Sequence, residues 1–142
     1  MLVALLPEQV SDMWPIIKGH IDDSLPPTAD WGQYDMNNVL FNVLAGYAQI
    51  WLYKNKEQEN QGFVTTTILN DISGVKTLLI YNMIVIDKSA KVNWLEELNT
   101  LKDFAHSRGC SKIGSYVMNP KILDIIKEHE VETRFVFAHM NI

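Results

Sequence analysis

The sequence predicts a mixed α/β domain, with helices layered on a sheet. Two observations carry that expectation. Runs rich in Val, Ile, Leu and aromatic residues alternate with runs whose apolar residues recur at three- and four-residue steps. The stretch 76–117 also reads as strand, loop, amphipathic helix and strand, which is a right-handed parallel crossover by default.

The elements follow in order. Val3–Leu6 is a short apolar opening, read as an edge strand. Pro7 suits the first turn of a helix, with Glu8 near its positive end. Val10, Met13, Trp14, Ile17 and Ile21 form its apolar stripe, and Pro15 inside it predicts a kink or a start near Asp12. The run 24–32 (SLPPTADWG) is a loop. Asp35 is the predicted N-cap of a second helix, with Val39, Leu40, Val43 and Leu44 inward and Gly46 ending it. Ala48–Lys54 and Gly62–Asn70 are strands joined by a polar hairpin loop at Asn55–Gln61. Thr77–Ile86 is almost continuously apolar, as in a strand covered on both faces. Val92–Arg108 is a helix with Trp94, Leu98, Leu101 and Ala105 on one face and Gly109 as its left-handed cap. Lys112–Val117 is the next strand. Asn119 and Pro120 open a last helix carrying Ile122, Leu123, Ile125 and Ile126, and Thr133–Met140 closes the chain as a strand.

The bulk numbers bound the classes. With 142 residues, 47% hydrophobic and 20% charged, residues 1–142 form a single domain large enough to bury a core. The net charge of −5 and the lack of a Lys/Arg cluster exclude a nucleic-acid footprint. The opening MLVALLPEQ is too short for a signal peptide or membrane anchor. The single cysteine, Cys110, excludes an internal disulfide framework and is expected as a small buried hydrophobe. His20, His106, His129 and His139 lack ligand spacing, so no metal site is expected. The adjacent pairs Asp22-Asp23 and Glu96-Glu97 read as solvated faces. Trp31, Tyr34, Trp51 and Tyr53 are candidate partner-binding aromatics, the residue types favoured as interface anchors.

The element order resembles the GNAT (Gcn5-related N-acetyltransferase) fold, a three-layer α/β/α architecture around a central mixed sheet. Leu98, Leu101, Ala105 and Gly109 match the family's helix after the acetyl-CoA loop, and Asn119 sits where the family often has Asn. In active members that loop carries R/Q-x-x-G-x-G/A, whose backbone N–H groups hold the cofactor pyrophosphate. Here Ser89, Val92 and Trp94 stand at those positions. Ile126 stands where the family's proton-donating tyrosine falls, with Glu130 and Val131 at its Gly-Phe pair. Met13-Trp14-Pro15, Tyr34-Asp35, Gln49-Ile50-Trp51 and Arg108-Gly109-Cys110 are similar to small GNAT-like proteins encoded near the head and tail genes of tailed bacteriophages.

That resemblance implies a non-catalytic protein-binding role, as a phage virion or morphogenesis component in the host cytoplasm or the particle, without cofactor or catalytic residue. Its partners would be virion or assembly proteins or a second copy, with neither nucleic acid nor membrane. The alternative is a divergent acetyl-CoA-dependent N-acyltransferase, with Ile86, Lys88, Lys91 and Asn119 at the cofactor and Tyr116, or a water, as acid. Tyr81 is a second candidate for that acid. A third reading is a host-factor-binding or inhibitory protein.

Overall fold

The computed structural model describes residues 1–29, 34–89 and 91–142. The order is β1 (Leu2–Ala4), α1 (Pro7–Asp22), a 3-10 turn (Pro27–Ala29), α2 (Met36–Leu44), β2 (Ala48–Lys54), β3 (Asn60–Asn70), β4 (Lys76–Val85), α3 (Trp94–Ser107), β5 (Lys112–Ser115) and α4 (Pro120–Lys127). The strands form one five-stranded sheet in the order β1-β2-β3-β4-β5. The first four pair antiparallel, and β5 joins β4 in parallel through α3, as the crossover pattern predicts.

The two faces of the sheet are covered by different helices. Ile50, Leu52 and Phe63 pack with Val10, Ile17 and Ile21 of α1 and with Met36 and Val43 of α2. On the other face Trp51, Val64, Leu78 and Ile80 pack with Leu101 and Ala105 of α3. Each fully buried branched side chain contributes roughly 1.5–3 kcal/mol. The alternation of β2 delivers Ile50 and Leu52 to one core and Trp51 to the other. Cys110 lies in the α3-side core at 6% exposure, as a small hydrophobe should. Gly62 has a packing reason: a Cβ there would run into the Ile84 carbonyl of β4.

Local signals hold at most helix ends. The Asp35 side chain accepts the Asn37 N–H at 2.8 Å, and Asn119 caps α4 by accepting the Lys121 N–H at 3.0 Å. Gly109 adopts φ +73°, and the Lys76 ammonium donates to the Arg108 carbonyl at 2.9 Å, closing the end of α3.

Four expectations change. The first helix starts at Pro7 rather than near Asp12, because the Gln9 side chain accepts the Leu6 N–H at 2.9 Å. It runs through Pro15, which is exposed, as is Ser11, whose carbonyl loses its helical donor. Leu44 is 41% exposed rather than inward. Glu97 is not on a solvated face: it is buried, and its carboxylate accepts the Leu2 N–H at 2.7 Å. Thr133–Met140 is not a strand, and no residue of α4 is buried. The segment has no backbone ladder among the described residues, so its apolar side chains stay in water.

Candidate functional site

The parallel pairing of β4 and β5 runs from Thr77↔Lys112 to Ile80↔Ser115 and stops there, while β4 continues to Val85. The strands therefore fork, and the Ser115 hydroxyl sits at the fork, donating weakly to the Ile80 carbonyl at 3.4 Å. One residue beyond the last pair, the β3–β4 register shifts: Thr66 pairs with Ile80 but Thr65 pairs with Asn82. Tyr81 is the extra residue of that bulge. Bulges re-aim side chains, and they concentrate beside functional sites.

Tyr81 and Tyr116, one on each arm of the fork, are both partly buried. Burial, and to a lesser degree the nearby Tyr116, hold the Tyr81 phenol above its ordinary pKa. It stays protonated through the physiological range and is able to donate a proton. On the α1 side of the same bulge, Asn82 is buried and donates to the Ser24 hydroxyl at 3.0 Å. The Asn82 Oδ1 and the Oγ1 of Thr65, its register partner, are buried without hydrogen-bond partners among the described residues. Such orphaned atoms are uncommon in folded proteins. Sequence reasoning passed over Ser24, Thr65 and Asn82. The signal available was a lone Asn in an otherwise apolar strand.

The loop after β4 has a different character. Asp87 Oδ1 accepts both the Ser89 N–H at 2.9 Å and the Ser89 hydroxyl at 2.6 Å. Those two bonds hold the Asp87 carboxyl below its usual pKa, so it remains an anion. Ser89, the residue at the first position of the phosphate motif, thus points its donors at a carboxylate. Lys88 and Lys91 are exposed, and Val92 is half-buried. Ile86 is 41% exposed, and its N–H donates to the Gln61 carbonyl at 3.0 Å. Asn119 is engaged as the α4 cap. The Trp94 indole, expected to fill the second glycine position, lies outside the described residues, although α3 does begin at Trp94.

The aromatic candidates separate as well. Trp51 is 4% exposed, donates from Nε1 to Thr66 Oγ1 at 3.0 Å and meets Phe104 edge-on at 5.1 Å. It is a core residue rather than a surface anchor. Tyr53 packs against the same core. Tyr34 is 54% exposed, and Asp22, by hydrogen bond and by charge, holds its phenol above the ordinary value. Trp31 lies outside the described residues. No group of metal-ligating side chains forms among the described residues, and no described helix is long and apolar enough to cross a membrane.

Solved structures share this fold. A ribosomal-protein-alanine N-acetyltransferase from Brucella melitensis biovar Abortus 2308 superposes with a TM-score of 0.66 at 12% identity, covering 100% of this chain and 99% of that one. An aminoglycoside acetyltransferase from an uncultured soil metagenomic sample gives 0.70 at 11% identity, covering 100% and 97%. A structure described as a predicted acetyltransferase with acetyl-CoA, from Clostridium acetobutylicum, gives 0.67 at 15% identity, covering 99% and 95%. The chain has the GNAT fold. At these identities the likeness is one of fold. No family model matches the sequence, and no curated protein does.

Proposed function

We propose that this GNAT-fold chain is a divergent acyl-CoA-dependent N-acyltransferase. The observation that carries the reading is the fork at Ile80 and Ser115, with Tyr81 and Tyr116 on its two arms. Diverging parallel strands leave β4 backbone groups beyond Ile80 without a β5 ladder, and an amide-bearing chain such as pantetheine can pair with them. Acyl-CoA supplies the activated acyl group. Tyr116, with Tyr81 beside it, donates the proton that a departing thiolate needs. The partnerless Asn82 Oδ1 and Thr65 Oγ1, close behind the bulge, suit an acceptor that brings N–H donors. The acetyltransferase names of the structural neighbours support the same reading.

The fit to the cofactor is good at the thiol end and poor at the phosphate end. Asp87 and Ser89 close on each other, which leaves Lys88 and Lys91 as the charges available to a diphosphate. That turn favours a second reading, a non-catalytic GNAT-fold protein that binds other proteins, such as a virion or assembly component of a phage. Isothermal titration calorimetry with acetyl-CoA separates the two. Binding with a Kd of tens to hundreds of micromolar, lost on adding a substitution in the fork such as Ser115→Trp, supports the enzyme. Absence of heat at millimolar acetyl-CoA overturns it in favour of the binding protein.

A further inference from the structure

We infer that the acyl acceptor is a linear alkyl diamine, taken where the end of α1 meets the β4 bulge. The inference rests on the acyltransferase reading and adds the chemical class of the acceptor.

Three sets of oxygens meet at that junction. The Asn82 amide reaches the end of α1, where its nitrogen donates to Ser24 Oγ at 3.0 Å. Its own oxygen has no partner among the described residues, and neither has Thr65 Oγ1 on the neighbouring strand. The two residues are 8% and 2% exposed, and register partners share a face of the sheet. The Ser24 hydroxyl in turn donates to the His20 carbonyl at 2.8 Å, in the last turn of the 16-residue α1. That end of a helix carries partial negative charge and favours cations. Lastly, α1 closes on the exposed residues Asp22 and Asp23, just before Ser24. Both carboxylates act on the Tyr34 phenol, so they converge on one place although they are neighbours in sequence. Among the described residues neither joins a salt bridge.

These groups call for N–H donors and positive charge. An alkylammonium brings three donors and no acceptor. A single amine serves either the buried oxygens or the exposed carboxylates, whereas a diamine serves both. The amine that reacts sets its N–H groups on Asn82 Oδ1 and Thr65 Oγ1, and the far ammonium lies against Asp22 and Asp23. Entry parts the Asn82–Ser24 bond, which a turn of the amide about its last torsion accomplishes. The net charge of −5 draws the same ligand from solution. The inner nitrogen arrives neutral, having left one proton in the solvent, and its lone pair attacks the thioester carbonyl carbon. The C–N bond forms as the C–S bond breaks. The thiolate takes the Tyr116 proton, and the surplus proton of the nitrogen returns to the phenolate through water.

The test compares cadaverine, pentylamine and aminopentanoate, which share a reactive amine and a chain length and end in an ammonium, a methyl and a carboxylate. Calorimetry without acyl-CoA should rank them in that order, with cadaverine about tenfold tighter than pentylamine. The gap should shrink at high salt. With acetyl-CoA present, kcat/KM should follow the same order, through KM. Asp22→Asn with Asp23→Asn should bring cadaverine to within about threefold of pentylamine. Thr65→Val deletes an unpaired buried hydroxyl, so thermal stability should hold or rise while affinity for all three amines falls about fivefold. A purely structural Thr65 would leave the amines unaffected, and that result overturns the inference. Pentylamine equal to cadaverine in binding and turnover overturns it too, and leaves the acyltransferase standing. So does the absence of heat with any amine at millimolar concentration. Selective binding of cadaverine without acetylated product supports the diamine site and overturns the acyltransferase reading instead.

Discussion

The Glu97 carboxylate of α3 accepts the backbone N–H of Leu2 at 2.7 Å, tying the crossover helix to the edge strand. The bond is buried, and a charged acceptor on a buried N–H is worth about 1.5–3 kcal/mol. Glu97→Ala leaves that N–H unpaired and should lower stability by about 2 kcal/mol, measured by urea unfolding. Glu97→Gln, which keeps an acceptor, should recover part of the loss. Equal stability of all three proteins would show that water replaces the carboxylate.

Gly62 is required by proximity rather than by an unusual turn. Gly62→Ala places a methyl against the Ile84 carbonyl, and the β3–β4 ladder must spread to admit it. Overpacking of this kind costs about 1–3 kcal/mol. Thermal unfolding should show the loss, and amide exchange at Phe63 and Val85 should quicken first.

These two residues also show what was legible in the sequence. Asp35, Gly46, Gly109 and Asn119 were readable because a helix cap depends on residues within a turn of it. The two-residue period of β2 and the apolar run of β4 were readable for the same reason. Glu97 was misread because its partner lies 95 residues away, where local pattern carries no information. Trp51 was misread because only the second core decides whether an indole on a strand faces Phe104 or water. The Tyr81 bulge depends on how β3 pairs with β4, and the failure of Thr133–Met140 to join the sheet depends on what lies beside β5. Propensity marks a segment as strand-forming but does not supply its neighbour.

Glu130 stands just beyond α4 with φ +56°, in the left-handed region that favours glycine. A side chain there costs about 1 kcal/mol that glycine avoids. Glu130→Gly should therefore stabilise the helix end by up to about 1 kcal/mol, less the added freedom of the unfolded chain. Helix content over 120–127 on heating, followed by exchange, checks it. A loss of stability would mean that the Glu130 side chain makes a compensating contact.

Asp87 bears on the cofactor directly. Its carboxylate is held ionised by Ser89 and stands in the loop where a diphosphate would lie. Asp87→Asn removes one negative charge, which at several ångströms in water is worth about 1 kcal/mol against a diphosphate, or roughly fivefold in affinity. Acetyl-CoA should bind Asp87→Asn more tightly at low salt, and the gain should shrink near 1 M salt. Unchanged affinity would place the phosphates away from this loop.

Tyr81 gives the pH test. Its folded pKa is raised, first by burial and then by Tyr116, so the neutral phenol is favoured in the native state. The stability this contributes is complete below the ordinary tyrosine value near 10 and is lost as pH rises through the higher folded value. Absorbance titration of the wild type minus Tyr81→Phe should isolate one phenol titrating above the ordinary value. Tyr116→Phe should move that phenol back toward it. For acyl transfer, Tyr116→Phe should lower kcat by about a hundredfold with little change in KM, as loss of a proton donor does. Tyr81→Phe should instead leave a measurable rate. If Tyr81→Phe abolishes turnover and Tyr116→Phe does not, the two tyrosines exchange roles, and the proton comes from the bulge rather than from the arm of β5.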